Sequence, residues 1–207
     1  MAKFIVVDDH PLARLAIRLL LEKEGHTVVA ETDEGENIAG LVRKHAAEAI
    51  VMDIDLPGIN GIEAILALRA GRIGIPVIVM SGKNADYYTE QSMKAGANGF
   101  ISKQNNLADL SSAVTAVFSG YGYFPLRMNQ SYASASPNPD SERLRMLSRR
   151  EFEVLRNLSS GMEIHDIASR MQVSNKTVST YKARLMAKLT LKNQWELLEF
   201  ARRNDIN

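Results

Sequence analysis

The 207-residue chain contains no cysteine, which excludes disulfide staples, thiolate metal sites and cysteine nucleophiles and fits a reducing compartment. Net charge is almost absent too: 25 Lys and Arg against 24 Asp and Glu give +1. The whole chain therefore reads as neither a basic nucleic-acid binder nor an acidic tail. No long apolar run opens the sequence, because Phe4-Ile5-Val6-Val7 meets Asp8 and Asp9 directly. Such a start is neither a secretion signal nor a membrane span, and the expectation is a cytoplasmic protein with no membrane partner.

Near-neutrality hides an asymmetry. Residues 1–120 carry a net charge of −4 and residues 141–207 a net charge of +5. A positive half lowers the cost of approaching phosphate backbones, and a negative half suits a cation site. The length also accommodates two domains.

The first 120 residues alternate short apolar runs with segments of helical period. The runs are 4–7, 27–30, 49–52, 76–80 and 99–101, rich in β-branched residues and almost free of internal alternation, as in parallel strands covered on both faces. Between them apolar residues recur at helical spacing, for example Leu12, Leu15, Ala16 and Leu19, with Pro11 suited to a first helical position and Gly25 to a stop. Five such repeats predict a doubly wound α/β domain with a five-stranded parallel sheet, whose ligand site lies at the carboxyl ends of the strands. Residues 125–141 are rich in Ser, Pro, Asn and Ala and read as linker. From Leu144 onward four helical segments are expected: one behind a Ser148/Glu151 capping box and ended by Gly161, then about 163–171, about 175–189 behind a Ser174 cap, and about 193–203. The division that follows is 1–120, a linker at 121–142, and an all-α four-helix domain at 143–207.

Asp8 and Asp9 close the first strand and Asp53 the third, so a parallel sheet brings three carboxylates to one edge. Their mutual repulsion favours a hard dication, and Mg2+ fits if waters complete its shell. Ser81 ends the fourth strand and Lys103 follows the fifth, adding a hydroxyl and a cation suited to a phosphoryl group on Asp53. Taken singly, each residue has a plainer reading: an acid pair can cap a helix, Lys103 can be a solvated charge and Phe100 core. Their joint placement on four of five strand ends favours a phosphoryl-transfer site. His10 has no metal-ligand spacing to the histidines at 26, 45 and 165, and a loop or capping role is expected for it.

Asp8-Asp9, the Asp53-Ile54-Asp55-Leu56-Pro57-Gly58-Ile59-Asn60-Gly61 segment, Ser81 and Lys103 resemble the receiver pattern of response regulators. That resemblance implies that Asp53 is the phosphoacceptor. It also implies that Asp9 and Asp53 bind Mg2+ directly, Asp8 through water and Asp55 through its backbone carbonyl, while Ser81, Lys103 and the aromatic Phe100 sense and stabilise the phosphoryl group. Many receivers follow the Lys with Pro; here Gln104 stands there, and no cis bond is expected.

In the last 65 residues, Ile164–Met171, a Gln172-Val173-Ser174 turn and Asn175–Leu185 have helix-turn-helix spacing, whose second helix enters the DNA major groove. At about 100° per residue, Val178, Tyr181, Leu185 and Leu189 share a packing stripe. Lys176, Thr180, Ala183 and Ala187, flanked by Ser179 and Arg184, form the opposite, reading face. Thr177, Lys182, Arg184 and Lys188 lie to the sides, suited to phosphates. In the fourth helix Trp195 and Leu198 are expected to close the core and Leu197 and Ala201 to face a partner copy.

Leu147-Ser148-Arg149-Arg150-Glu151, Gly161, Ile167-Ala168 and Val173–Val178 are similar to the LuxR-type DNA-binding domain of NarL/FixJ regulators. Asp9-His10-Pro11-Leu12, Gly96–Phe100 and Ser174–Lys182 narrow the likeness to the BvgA/EvgA group. The resemblance implies a non-enzymatic transcription factor phosphorylated by a sensor histidine kinase, and a homodimer on paired double-stranded DNA half-sites. It also implies dimerisation through the fourth helix, with Trp195, Leu197, Leu198 and Ala201 as candidates. Two rivals remain: an aspartyl-phosphate hydrolase built on Asp53-Ile54-Asp55, and a regulator that ignores phosphorylation.

Overall fold

The computed structural model describes residues 1–82, 85–103, 109–125, 139–204 and 206. Gln104 and most of the stretch read as linker lie outside them. The chain forms two compact units, residues 1–126 and 127–207.

The first unit alternates strand and helix: β1 (Lys3–Val7), α1 (Pro11–Lys23), β2 (Thr27–Thr32), α2 (Ile38–His45), β3 (Ala49–Asp53), α3 (Gly61–Ala70), β4 (Val77–Ser81), α4 (Ala85–Ala95), β5 (Gly99–Ser102) and α5 (Asp109–Phe118). All five strands pair in parallel, in the order β2-β1-β3-β4-β5, the doubly wound sheet the repeats predict. Every residue of β3, β4 and β5 is buried, whereas β2, at the edge, is half-buried throughout. Strand order reverses between β1 and β3, opening a crevice at their carboxyl ends. Residues 121–125 also belong to this unit, since Tyr123 bridges Gly99 and its carbonyl accepts from Phe100 N at 2.7 Å.

One apolar stripe does not behave as its spacing suggests. Leu12, Leu15 and Leu19 are exposed, Leu12 at 81%. The face of α1 that meets the sheet is set instead by Ile17 and Leu21, which join Phe4, Val6, Val51 and Val114 in the core.

Among its described residues the second unit holds the four expected helices, α7 (Arg149–Ser159), α8 (Ile164–Arg170), α9 (Asn175–Leu189) and α10 (Gln194–Arg203), preceded by a further helix, α6 (Pro139–Arg145). Helix α6 starts inside the Ser/Pro-rich stretch. It is held by Asp140, buried, whose carboxylate accepts from Arg203 Nε (2.5 Å) and Asn204 Nδ2 (3.3 Å). Seven residues with two acids and two arginines show no apolar period of their own, so only the distant partner makes the helix legible. The remaining ends fall where sequence places them. Ser148 Oγ accepts from Glu151 N while Glu151 Oε2 accepts from Ser148 N (2.7 Å), and Gly161 takes a positive φ of 82° beyond α7. Ser174 and Asn193 cap α9 and α10.

The facing of α10 corrects the sequence expectation. Leu197 and Ala201 are wholly buried with Phe200, while Trp195 is 69% and Leu198 40% exposed. Leu197, Phe200, Ala201 and the buried Asn204 stand at i, i+3, i+4 and i+7, a full packing stripe. Trp195 and Leu198 make only an i, i+3 pair, so the size of the indole does not decide the face. Among the described residues, no helix is long and apolar enough to cross a membrane.

Candidate functional site

Strand β1 delivers Asp8 and Asp9 to the crevice, and β3 ends on Asp53 beside them. Asp8 and Asp53 are buried. Lys103, just past β5, donates from Nζ to Asp8 Oδ2 at 2.6 Å and to Asp53 Oδ2 at 2.8 Å. Its own backbone N–H is tied to the Ser81 carbonyl at 2.7 Å. The remaining oxygens are also held: Asp8 Oδ1 accepts from His10 N (2.9 Å) and Asp53 Oδ1 from Ile54 N (2.7 Å). Arg14 Nη1 donates to the Asp8 carbonyl at 2.5 Å. Four segments as far apart in sequence as Asp8 and Lys103 thus converge on one edge.

Glycine at 61 is required by this packing. A Cβ there would lie 2.3 Å from the Asp53 carbonyl oxygen and 3.0 Å from Ile54 Cα, so the start of α3 sits against the backbone that carries Asp53. The Asn60/Glu63 capping box fixes the same helix end.

Burial pushes the Asp53 carboxyl above its ordinary range. Lys103 offsets this only in part, and the charges of Asp8 and Asp55 add to the rise. For Lys103, burial pulls downward, but Asp53 and Asp8 more than compensate and hold the ammonium above its usual value. The pocket therefore keeps its cation and carries an acid whose negative charge is costly.

One donor atom each of Asp8, Asp9, His10 and Asp53 lies within 4.8 Å of the others. Among the described residues, Asp8, Asp9, Asp53 and the neighbouring Asp55 face the cations of Lys103 and Arg14, and an oxygen-rich set of this kind fits a hard dication such as Mg2+. Asp55 is half-buried and acts on Asp53 through its charge. Ser81 is buried and follows Met80, the strand partner of Asp53. Phe100, on β5 opposite Val79, is completely buried. His10 occupies the N-cap position of α1, but its side chain caps nothing. Its Nδ1 is instead 2.5 Å from Asp9 Oδ1 and 3.6 Å from Asp8 Oδ1. Sequence spacing to other histidines could not reveal this, because the partners are its immediate neighbours. Nor did the sequence point to Arg14 and the Ile54 amide as props of the pocket.

In the second unit α9 packs through Val178, Leu185 and Leu189, with Tyr181 half-buried. Lys176, Ser179, Thr180, Ala183, Arg184 and Ala187 are exposed, as the period predicts. Ser174, Lys176, Thr177, Thr180, Tyr181 and Arg184 line a cleft of about 340 Å³. The Thr180 hydroxyl donates to the Lys176 carbonyl (2.9 Å), and Thr177 Oγ1 joins the Ser174 cap at 2.8 Å. Two of the flanking cations hold intradomain partners: Lys182 donates to Gln194 Oε1 (2.5 Å) and Lys188 to Glu151 Oε2 (2.6 Å).

The response regulator receiver domain matches residues 4–115, and the domain of bacterial regulatory proteins of the LuxR family matches residues 145–201. The chain is a LuxR-type response regulator.

This response regulator is 41% identical over 202 residues to the DNA-binding transcriptional activator EvgA of Escherichia coli K12, covering 98% of each chain. It is 38% identical over 205 residues to the virulence-factor transcription regulator BvgA of Bordetella pertussis, covering 99% of this chain and 98% of that one. Among solved structures it resembles RcsB of Salmonella enterica serovar Typhimurium bound to promoter rprA in the presence of phosphomimetic BeF3−. The TM-score there is 0.77, with 27% identity over 98% of this chain and 99% of that one. These relatives are transcription regulators, and the response regulator's acidic pocket and basic helix fall one in each matched domain.

Proposed function

We propose that Asp53 accepts a phosphoryl group from a sensor histidine kinase, and that the LuxR-type half then binds DNA as a homodimer in the cytoplasm. The observation that carries this reading is the single ammonium of Lys103 held between Asp8 and Asp53 at the switch point of the sheet. In the transfer, the phosphorus–nitrogen bond of the donor phosphohistidine breaks and an oxygen of Asp53 forms the new bond. Asp9 and Asp53, with Asp8 through water and the Asp55 carbonyl, would hold Mg2+, which when bound neutralises phosphoryl oxygens. Lys103 supplies a second fixed positive charge to the product, and the Ile54 amide orients the carboxylate beforehand. Ser81 offers a hydroxyl to the new oxygens, and a shift at Ser81 is passed to Phe100, the buried ring on the neighbouring strand.

The receiver at 1–120 and the DNA-binding domain at 143–207 are joined by 121–142, both ends of which are taken into the units. Lys176, Thr180 and Ala183 read bases, and Ser179 borders that face. Thr177, Lys182, Arg184 and Lys188 serve the phosphates, Lys182 and Lys188 after exchanging or sharing their present partners. Pairing two copies links two weak half-sites into useful avidity. Of the four dimer candidates, the exposed Trp195 and Leu198 remain; Leu197 and Ala201 are spent in the core.

In this reading the chain acts as a regulator and not as an enzyme, its aspartate being labelled once per activation. Incubation with a small phosphodonor and Mg2+ should label the wild type in a single slow event and leave Asp53→Asn unlabelled. Equal labelling of the two removes the assignment, and steady release from a phosphate ester would favour the hydrolase. Promoter selection with and without donor then tests the coupling to DNA. On selected DNA, Arg184→Ala should shallow the salt dependence by about one phosphate contact, while Thr180 substitution should alter sequence preference.

A further inference from the structure

One group at the receiver pocket offers nitrogen where the others offer oxygen. His10 is largely exposed, yet its Nδ1 turns back over the pocket, 2.5 Å from Asp9 Oδ1 and 3.6 Å from Asp8 Oδ1. At metal–ligand bonds of about 2.1 Å, adjacent donors of an octahedral ion stand about 3 Å apart, and those two separations bracket that spacing. The main chain is fixed beside the pocket: His10 N donates to Asp8 Oδ1 (2.9 Å), and Pro11 begins α1 at the next residue. A neutral imidazole has one proton and one lone pair. The 2.5 Å contact with Asp9 places that proton on Nδ1; once it resides instead on Nε2, the exposed side of the ring, Nδ1 presents its lone pair to the same space as the carboxylates.

We propose that His10 is a fourth protein donor of this pocket and shifts its preference from Mg2+ toward a first-row transition dication. The inference rests on the metal-binding reading of Asp8, Asp9 and Asp53 given above. Hard oxygen ligands alone suit Mg2+, whereas an imidazole contributes to Mn2+ and its heavier neighbours more than to Mg2+. The Mg2+ complex gains little from His10, and the transition-ion complex gains a bond. A simpler role for the ring, hydrogen bonding to Asp9 to orient it, would help both ions alike, which makes the two roles separable.

Mn2+ is the probe, added to the full-length chain at about pH 8, where free imidazole is neutral. Electron paramagnetic resonance of the bound ion should show coupling to one nitrogen nucleus, lost in His10→Gln. Competition with Mg2+ should show Mn2+ affinity falling at least about tenfold in that variant, with Mg2+ affinity changed much less. Absence of the nitrogen coupling, or an equal loss for both ions, overturns the proposal and makes His10 a positioning residue for Asp9. Wild-type protein that binds neither ion overturns the pocket reading itself. Asp53→Asn, which keeps His10, should weaken both ions together, and retained nitrogen-coupled Mn2+ at full affinity in that variant would put the ion elsewhere and end the assignment.

Discussion

The two units build their functional surfaces by opposite routes. In the receiver, Asp8, Asp53, Ser81 and Lys103 sit at the ends of different strands and meet only because the parallel sheet closes in the order β2-β1-β3-β4-β5. In the DNA-binding unit, Lys176, Ser179, Thr180, Ala183 and Arg184 lie within three turns of one helix, and the 3.6-residue period alone aligns them. The pocket therefore depends on long-range packing and the proposed reading face on the facing of one helix. A core defect in the second unit should disturb the face while leaving phosphoacceptance intact, and a defect beneath β3 should do the reverse.

The largest effect belongs to α10. Phe200 is fully buried and stacks under the Arg203 guanidinium at 5.1 Å. Phe200→Ala should cost the second unit about 3–5 kcal/mol, seen as loss of its thermal transition and of DNA binding, with labelling of Asp53 unchanged. Trp195→Ala, at an exposed position, should cost the dilute monomer less than about 0.5 kcal/mol. A greater loss from Trp195 than from Phe200 would put the Trp195/Leu198 stripe in the core instead.

Gly61→Ala tests the other side of the comparison. Its Cβ would collide with the Asp53 carbonyl, and relief requires moving α3 or the end of β3. A cost of about 1–3 kcal/mol in the receiver is expected, together with slower phosphate incorporation, because the displaced backbone carries Asp53, the proposed acceptor. DNA binding by the unphosphorylated chain should not change. Unaltered melting and labelling would mean that α3 does not press on the strand.

The same contrast accounts for what could be read beforehand. Unbroken β-branched runs ending in acids, a hydroxyl and a lysine make the doubly wound sheet and its edge legible, since topology leaves those groups one place to go. Caps at Ser148, Ser174 and the stripe Val178/Leu185/Leu189 are local and equally clear. Periodicity fails where two apolar stripes compete: it cannot say whether Leu12/Leu15/Leu19 or Ile17/Leu21 meets the sheet, nor which face of α10 turns inward. It also fails for α6, whose hold comes from Asp140 reaching Arg203 and Asn204 some 60 residues on. Spacing among the histidines carries no information on His10, whose charged neighbours are the adjacent acids.

Acidification gives the smallest predicted difference between the units. Glu151 is buried beneath the start of α7. Burial alone would raise its carboxyl, but the hydrogen bond from Lys188, the Ser148 amide and the Lys188 charge together hold it below the ordinary glutamate value. A group depressed in the folded state contributes stability that is fully present above its unfolded pKa and is lost as pH falls through the folded one. The loss therefore begins below about pH 4.5, the ordinary glutamate range, and deepens on further acidification. Because Lys188 is more than one-third exposed, solvent screening keeps the contribution to about 1 kcal/mol or less. Glu151→Gln should lower stability near neutrality by that amount and flatten the acid slope of the second unit's melting temperature, leaving the receiver's slope as it was. An unchanged slope would mean that the Lys188 pair is too well solvated to matter, and Lys188 would then be free to serve the DNA phosphates without loss to the fold.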